Sequence, residues 1–323
     1  MRSIDLTKKE LTILESLPKS VGGVWHANDA ITSLVGLVPK FVKVVDCEDN
    51  YITSLEGIPE GVKEVYCQNN ELTTLEGLPN SIKIVDCDYN KKLTSLKGLP
   101  EGVVTVSCNN SKKLTSLEGL PEGVEKVDCQ NNEFTSLEGL PRGVIWVNCS
   151  RNKLTSLEGL PEGVEIVWCT HNKLTSLEGL PDSVREVICY ENKLTSLEGL
   201  LEGVEKVNCS NNKLISLKGL PDGVEKVNCS NNKLTSLEGL PKGVRKVYCR
   251  NNKLTSLDGL PEGVDEIFCN RNKLTSLEGL PDGVQYYEYK YNPIWFEHLA
   301  EGKIPLELEE DVTGIVNIIK YIK

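Results

Sequence analysis

One unit of about 20 residues repeats along almost the whole chain, and this repetition limits the fold more than any other feature of the sequence. The unit reads V-x-x-V-x-C-x-x-N-x-L-x-x-L-x-x-L-P, and the segment that begins at Gly223 is a clear copy. The 12 cysteines, from Cys47 to Cys269, recur at spacings of 20 or 21 residues. A period this short predicts a solenoid, in which each unit stacks only on its neighbours. Function is then expected where the repeats differ.

Composition argues against several classes of partner and location. The net charge is -11 and the pI is about 5.0, so neither nucleic acid nor an anionic membrane is an expected partner. The chain lacks an apolar run of about 20 residues, so no transmembrane helix is expected. The first residues do not combine an apolar run with a small-residue cleavage site, as a signal peptide does. We therefore expect a cytoplasmic protein.

Each repeat combines a short strand with a coiled return path. The alternation in V-x-C predicts a strand, with Val207 and Cys209 facing inward and Asn208 facing outward. The spacing L-x-x-L-x-x-L suits a tightly coiled return whose leucines point into the same core. The segment L-P-x-G-V is expected to form a turn with Pro second and Gly fourth. Ser81 and Ser183 replace that glycine, so a positive φ is not expected there.

The units resemble leucine-rich repeats, in particular the short class found in bacterial effector proteins of the YopM and IpaH type. The shared signature is L-x-x-L-x-V-x-x-N-x-L-x-x-L-P, and the resemblance extends roughly over residues 4–294. It implies a β-rich solenoid with a horseshoe shape, in which a parallel sheet forms the concave face and the convex side is extended. It also implies delivery to a host cell without a usual signal peptide as an alternative location.

The resemblance divides the chain into a solenoid of about fifteen strands in residues 1–293 and a C-terminal cap in residues 294–323. We expect the cap to be helical, with a helix near residues 308–321. The chain departs from the family in its cysteine row and in lacking a helical hairpin before the first repeat. IpaH proteins carry a ubiquitin-ligase domain with a cysteine nucleophile after the repeats. Here the last cysteine, Cys269, lies inside the repeats, so that activity is not expected.

Two rows of the repeat are expected to be structural. In-register cysteines on adjacent strands point in parallel, which favours free, buried thiols over disulfides or a metal site. A CxxC pair of the kind that zinc sites use is absent, so neither metal nor cofactor is expected. The asparagine row is expected to bond backbone groups of neighbouring turns.

The outward strand positions differ most between repeats, and they provide the candidate partner-binding residues. Strict alternation would put one of the two outward neighbours of the strand valine at the sheet margin. Large side chains gather in two groups, which are Trp146, Ile166, Trp168, Ile188 and Tyr190 with His171 nearby, and Tyr248, Arg250, Phe268 and Arg271. Exposed apolar patches mark interaction sites, and Trp, Tyr and Arg are favoured at binding hot spots. The alternative is drift in a recently duplicated array, with aromatic residues that only stabilise the sheet.

The sequence favours a non-enzymatic module that binds a protein or peptide partner on the concave face. One alternative is a structural protein that self-associates into a homo-oligomer, through its uncapped N-terminal strand edge or through its aromatic residues. A less favoured one is recognition of a periodic surface, such as ice or a polymer, by the threonine row. An enzyme is disfavoured because His26, His171 and His298 lack a nucleophile at a recognisable spacing.

Overall fold

The computed structural model describes residues 2–5, 21–25 and 30–303, which form two compact units. The first unit comprises the chain up to Leu174 together with Glu178–Arg185. The second unit comprises Thr175–Leu177 and the chain from Glu186 onward. His26 and the helix predicted near residues 308–321 lie outside the described residues.

The described part of the first unit contains nine parallel strands that pair in chain order. They are β1 (Arg2–Asp5), β2 (Val21–Trp25), β3 (Val44–Asp46), β4 (Glu64–Tyr66), β5 (Ile84–Asp86), β6 (Thr105–Ser107), β7 (Lys126–Asp128), β8 (Trp146–Asn148) and β9 (Ile166–Trp168). Each repeat contributes one strand of three residues from β3 onward. The register follows the repeat, so that Val127 pairs with Val147 and Val147 with Val167.

The described part of the second unit contains six further parallel strands and one helix. The strands are β10 (Glu186–Ile188), β11 (Lys206–Asn208), β12 (Lys226–Asn228), β13 (Lys246–Tyr248), β14 (Glu266–Phe268) and β15 (Tyr286–Glu288). The helix α1 (Pro293–Ala300) begins where the repeat pattern ends. Its Ile294 and Phe296 are buried, and the N–H of Ile294 bonds the carbonyl oxygen of Leu274 at 3.0 Å, so the helix packs onto the last repeats.

Strand alternation sorts each repeat into an inward and an outward set. In the β12 repeat Val227, Cys229 and Leu234 are fully buried. The residues on either side of the strand valine, Lys226 and Asn228, both face away from that core. The expectation that one of these neighbours lies at the sheet margin is therefore wrong, because residues two apart on a strand share a face.

The asparagine row ties consecutive repeats together, as the sequence predicted. The side-chain amide of Asn172 donates to the carbonyl oxygens of Cys149 (3.0 Å), Cys169 (3.2 Å) and Thr170 (3.2 Å). Its Oδ1 accepts from the backbone N–H of Leu154 at 3.0 Å. One buried side chain thus pairs backbone groups of two turns that the return path would leave unpaired.

The cysteine row is confirmed as a ladder of buried free thiols, since all 12 cysteines are free and buried. Burial raises the pKa of Cys149 and of Cys209 to about 12. A neutral thiol packs as a small apolar group, and it is a poor nucleophile because the thiolate is the reactive form. Among the described residues no three His, Cys, Asp or Glu side chains are placed to hold a metal ion.

A left-handed corner follows every described cysteine of the repeats. The residue before the ladder asparagine has a positive φ, for example 53° at Asn211, 53° at His171 and 56° at Arg271. This conformation turns the chain out of the strand while the N–H of Asn211 still bonds the carbonyl of Ser230 (2.9 Å) in the next repeat. Asparagine tolerates such a φ best among residues with a side chain, and it is the commonest residue here.

The turns differ from the expected pattern. The N–H of Val164 bonds the carbonyl of Pro161 at 3.2 Å, so proline stands first in its turn and glycine third. The expected placing of proline second is wrong because the preceding leucine closes a separate turn, as Leu160 does on Leu157 at 3.4 Å. In most repeats the positive φ falls in that earlier turn: Gly139 has φ 94°, and a Cβ there would lie 2.7 Å from the backbone nitrogen of Glu118. Gly61, with φ 102° in the turn that begins at Pro59, is an exception. The serines at 81 and 183 therefore replace a different glycine, which explains why they are tolerated.

Candidate functional site

The outward-facing residues of the strands form a continuous surface within each unit, which we call the strand face. In the β8 repeat these residues are the half-buried Trp146 together with Asn148 and Ser150, which lie on the same side of the strand and are buried there. The inward valines and cysteines are nearly the same in every repeat, whereas this surface changes from acidic to aromatic to basic residues along the chain. It is therefore where the repeats become chemically distinct.

Trp146, Ile166 and Trp168 lie together on the strand face of the first unit, and we call them the first aromatic patch. Trp146 pairs with Ile166 across adjacent strands, and Trp168 is its diagonal neighbour. The two indole rings meet edge to face, with centroids 5.3 Å apart and an angle of 72°. Both rings are half-buried. The Trp168 Nε1 is buried and has no hydrogen-bond partner among the described residues.

The other members of the first predicted group lie elsewhere. Ile188 and Tyr190 face outward in the second unit, on β10 and just after Cys189. His171 occupies a left-handed corner instead of the strand face. Its Nδ1 lies 3.2 Å from the hydroxyl of Thr170, and its Nε2 lies 3.4 Å from the Arg151 guanidinium.

Tyr248, Phe268, Tyr286 and Arg250 form a second aromatic patch on the strand face of the second unit. The Tyr248 and Phe268 rings stack in parallel, with centroids 4.8 Å apart and 4° between their planes. The Tyr286 ring lies 5.2 Å from the Phe268 ring between centroids, and Tyr286 is 50% exposed. The Arg250 guanidinium lies 4.8 Å from the Phe268 ring and bonds Glu288 at 2.8 Å. Sequence reasoning missed Tyr286, although it occupies the same repeat position as Trp146.

Arg271 is not part of this patch. It lies at the left-handed corner that follows Cys269, with its guanidinium 5.1 Å from the Tyr291 ring. Tyr291 in turn packs against Trp295 of α1, at 5.3 Å between ring centroids. The geometry links Arg271 to the junction between the last repeat and the helix.

A row of lysines precedes the second aromatic patch and was not chosen from the sequence. Lys206, Lys226 and Lys246 occupy the same position on β11, β12 and β13, and they pair in register. An open depression of about 370 Å³ lies over these strands. It is lined by Glu186, Val187, Ile188, Lys206, Val207, Asn208, Lys226, Asn228 and Tyr248. An alignment of the repeats already shows in the sequence that these three paired positions are all lysines.

Carboxylates dominate the strand face earlier in the first unit. Asp88 accepts from the Ser107 hydroxyl (2.7 Å) and the Asn109 side-chain amide (2.9 Å), while Asp86 accepts from Gln68 (3.0 Å). Burial, and next the neighbouring Asp88 carboxylate, raise the pKa of Asp86 to about 7. This cluster gives the face a negative charge that depends on pH.

Comparison with known proteins gives structural relatives and no sequence family. No family model matches the chain, and no curated protein does. YopM of Yersinia pestis, a leucine-rich effector protein, superposes with a TM-score of 0.65 at 22% identity, covering 87% of this chain and 86% of YopM. The internalin InlF of Listeria monocytogenes superposes with a TM-score of 0.68 at 15% identity, covering 86% of this chain and 88% of the internalin.

A third structural relative was determined within a protein complex. A chain of the octameric complex of Latrophilin 3, Unc5D and the leucine-rich repeats of FLRT2 superposes with a TM-score of 0.59 at 17% identity. The match covers 84% of this chain and 90% of that one. No helix among the described residues is long and apolar enough to cross a bilayer. At these identities the likeness shows the fold: the chain is a leucine-rich repeat solenoid of parallel strands, built from repeats of 20 or 21 residues.

Proposed function

We propose that this chain is a non-enzymatic module that binds a protein or peptide partner on its strand face. The observation that carries the proposal is the first aromatic patch. Two tryptophans lie in edge contact there, 5.3 Å between centroids, on the surface where the repeats differ most. Tryptophan is the residue type most enriched among binding hot spots, where it contributes a large apolar area with few rotatable bonds.

The hydrogen bonding of Trp168 supports a role beyond packing. A buried indole N–H without an acceptor costs free energy in the unbound chain. A residue kept only to stabilise the sheet could be a phenylalanine, which has no such donor. A partner that brings an acceptor to this N–H would pair it and recover the cost.

The structural relatives are consistent with the proposal at the level of the fold. FLRT2 leucine-rich repeats assemble with other proteins, and YopM is an effector protein. By analogy we propose that this chain acts on a partner in the cytoplasm, either of its own cell or of a host cell to which it is delivered.

Affinity capture from a lysate of the native cells tests the proposal. The wild type is compared with a Trp146→Ser, Trp168→Ser double variant whose fold is verified by circular dichroism. Val35→Ser is the matched control, because Val35 is an apolar side chain of the same unit that is 64% exposed and lies outside the strands.

A protein retained by the wild type and by Val35→Ser, and lost from the double variant, supports binding at the first aromatic patch. Equal retention by all three proteins would exclude this patch. It would leave the second aromatic patch, with Ile188 and Tyr190, as the remaining candidate on the strand face.

Self-association is the second candidate function, and the position of β1 favours it. β1 pairs with β2 along one edge, and no other described strand pairs with its other edge. An open strand edge can pair with another chain. Light scattering tests this: a mass that rises with concentration supports a homo-oligomer, and a constant monomer mass contradicts it.

A further inference from the structure

We propose that the lysine row of the second unit binds an acidic, extended segment of the partner, with one of its apolar side chains against Tyr248. This rests on the proposed function and adds the chemistry of the partner. The site comprises Lys206, Lys226 and Lys246, the Tyr248 ring, and two asparagines of the strand face, Asn208 and Asn228.

The three lysines occupy directly opposed strand positions, an arrangement that the fold itself does not need. Lys206, Lys226 and Lys246 are cross-strand neighbours in perfect register, and adjacent strands lie about 4.8 Å apart. Like charges directly opposite each other destabilise a sheet. The corresponding position holds uncharged or oppositely charged residues in other repeats, such as Thr105 and Glu64, so the strand tolerates alternatives.

Only the two outer lysines of the row have carboxylate partners. The Lys206 Nζ lies 3.8 Å from Glu186, and the Lys246 Nζ lies 2.8 Å from Glu266. The central Lys226 is exposed, and its Nζ lies 5.5 Å from the centroid of the Tyr248 ring. Among the described residues no carboxylate lies within ion-pair distance of Lys226. The row therefore presents an uncompensated positive charge at its centre.

Two asparagines extend this donor surface. The Asn208 Oδ1 accepts from the Ser210 N–H (3.3 Å) and hydroxyl (2.8 Å), and the Asn228 Oδ1 accepts from the Ser230 N–H (3.1 Å). Both asparagines line the depression, so their side-chain amides add hydrogen-bond donors beside the lysines. Ionised carboxylates are acceptors only, so ammonium and amide donors together match Asp and Glu side chains.

The same depression has an apolar side. Ile188 and Tyr248 line it together with the lysines, and Tyr248 is held rigid by its stack on Phe268 at 4.8 Å. An extended peptide points successive side chains to opposite sides. A segment that combines acidic residues with an aromatic or aliphatic one can therefore place carboxylates on the lysines and an apolar side chain on Tyr248.

Charge elsewhere on the chain favours a peptide over a nucleic acid. The net charge is -11, and the strand face of the first unit carries Asp46, Asp86, Asp88 and Asp128. The chain as a whole therefore repels a nucleic acid, whereas a short acidic segment needs only the lysine row.

Fluorescence anisotropy with the full chain and labelled ten-residue peptide pools tests the inference. One pool contains three Glu and two Phe in scrambled order, a second replaces Glu by Lys, and a third replaces Phe by Ala. We expect the wild type to bind the first pool, to ignore the second, and to bind the third more weakly. We expect binding of the first pool to weaken as salt is raised, because salt screens exposed charges.

Lys226→Glu and Lys233→Glu form a matched pair of variants. They change the same charge in the same repeat, but Lys233 is exposed on the return path away from the strand face. We expect Lys226→Glu to weaken binding of the first pool at least tenfold and Lys233→Glu to leave it unchanged. Lys226→Glu places a carboxylate between two lysines, so its urea midpoint should equal or exceed that of the wild type.

Equal binding by the two variants, or no binding of the first pool by the wild type, overturns the inference. Displacement of the bound pool by single-stranded DNA of equal length also overturns it, since the site would then be a general anion site. These results leave the proposed function untouched, because a protein lost from the Trp146→Ser, Trp168→Ser variant still identifies a partner.

Discussion

The side-chain amide of Asn212 donates a hydrogen bond of 3.1 Å to the carbonyl oxygen of Cys189, 23 residues earlier in the chain. The same amide bonds its own turn, at 3.1 Å to Cys209 and to Ser210, while its Oδ1 accepts from the Leu194 N–H at 2.9 Å. One asparagine thus closes a turn and joins it to the previous repeat. This arrangement explains how consecutive repeats stack on each other although the chain has no single large core.

Asn212→Ala should lower the free energy of unfolding by about 1–3 kcal/mol, because the buried groups it served lose their partner. Urea denaturation followed by circular dichroism measures the change. Lys213→Ala, next in the sequence and exposed, is the control and should stay within about 0.5 kcal/mol of the wild type. An equal effect of the two substitutions would show that the asparagine row does not join the repeats.

The buried thiols should be inert in the folded protein. Burial raises the pKa of Cys209 to about 12, so the reactive thiolate is scarce at pH 8. We expect a thiol reagent such as DTNB to label none of the 12 cysteines under native conditions and all of them in denaturant. Fewer than 12 reactive groups in denaturant without reductant would indicate disulfides instead.

The left-handed corner makes a residue-specific prediction at Asn211, where φ is 53°. A β-branched side chain is strained in this conformation, whereas glycine adopts it freely. Asn211→Val should therefore be less stable than Asn211→Gly by about 1–2 kcal/mol in urea denaturation. Equal stability of the two variants would mean that the corner can relax to a negative φ.

The stability of the folded chain should depend on pH, because the Asp86 carboxyl group on the strand face of the first unit has a raised pKa. Its pKa is about 7 in the folded chain against an ordinary 3.8, so the folded state keeps a proton that the unfolded state releases. This contribution to stability is fully present below pH 4 and is lost as the pH rises through 7. The raised pKa values of Asp46 and Asp128, which burial also causes, act in the same direction.

Asp86→Asn imitates the protonated form and should be more stable than the wild type at pH 8, by about 1–2 kcal/mol once solvent screening of a half-buried carboxylate is allowed for. Near pH 4 the two proteins should converge. Asp222→Asn, at an exposed turn, is the control. A difference between Asp86→Asn and the wild type that stays constant from pH 4 to 8 would contradict this origin of the pH dependence.

The sequence predicted the parts of the fold that repeat. The period fixes the strands, and the cysteine and asparagine rows follow because a residue that faces the core in one repeat faces it in all. The corner was missed because non-glycine residues such as His171 and Arg271 hold a positive φ there. Their side chains consequently leave the strand face, although their sequence positions suggested a binding site.

The candidate site could be predicted only in part, for a different reason. Which outward residues meet depends on strand register, and this sets the diagonal contact of Trp146 with Trp168 and the stack of Tyr248 on Phe268. Composition along the sequence singled out these large residues. It gave less weight to Lys226, although the aligned repeats already place a lysine on each side of it, as the strand register confirms.

Site-specific photo-cross-linking tests most directly the claim that the strand face binds a partner. A photoreactive residue replaces Lys126, which is exposed and pairs with Trp146, or replaces Thr155, which is exposed on the return path. Both proteins are irradiated in a lysate of the native cells. We predict a specific protein adduct from position 126 that is absent from position 155 and from the Trp146→Ser, Trp168→Ser background. Adducts that form equally at both positions, only at 155, or not at all at 126 would contradict the account.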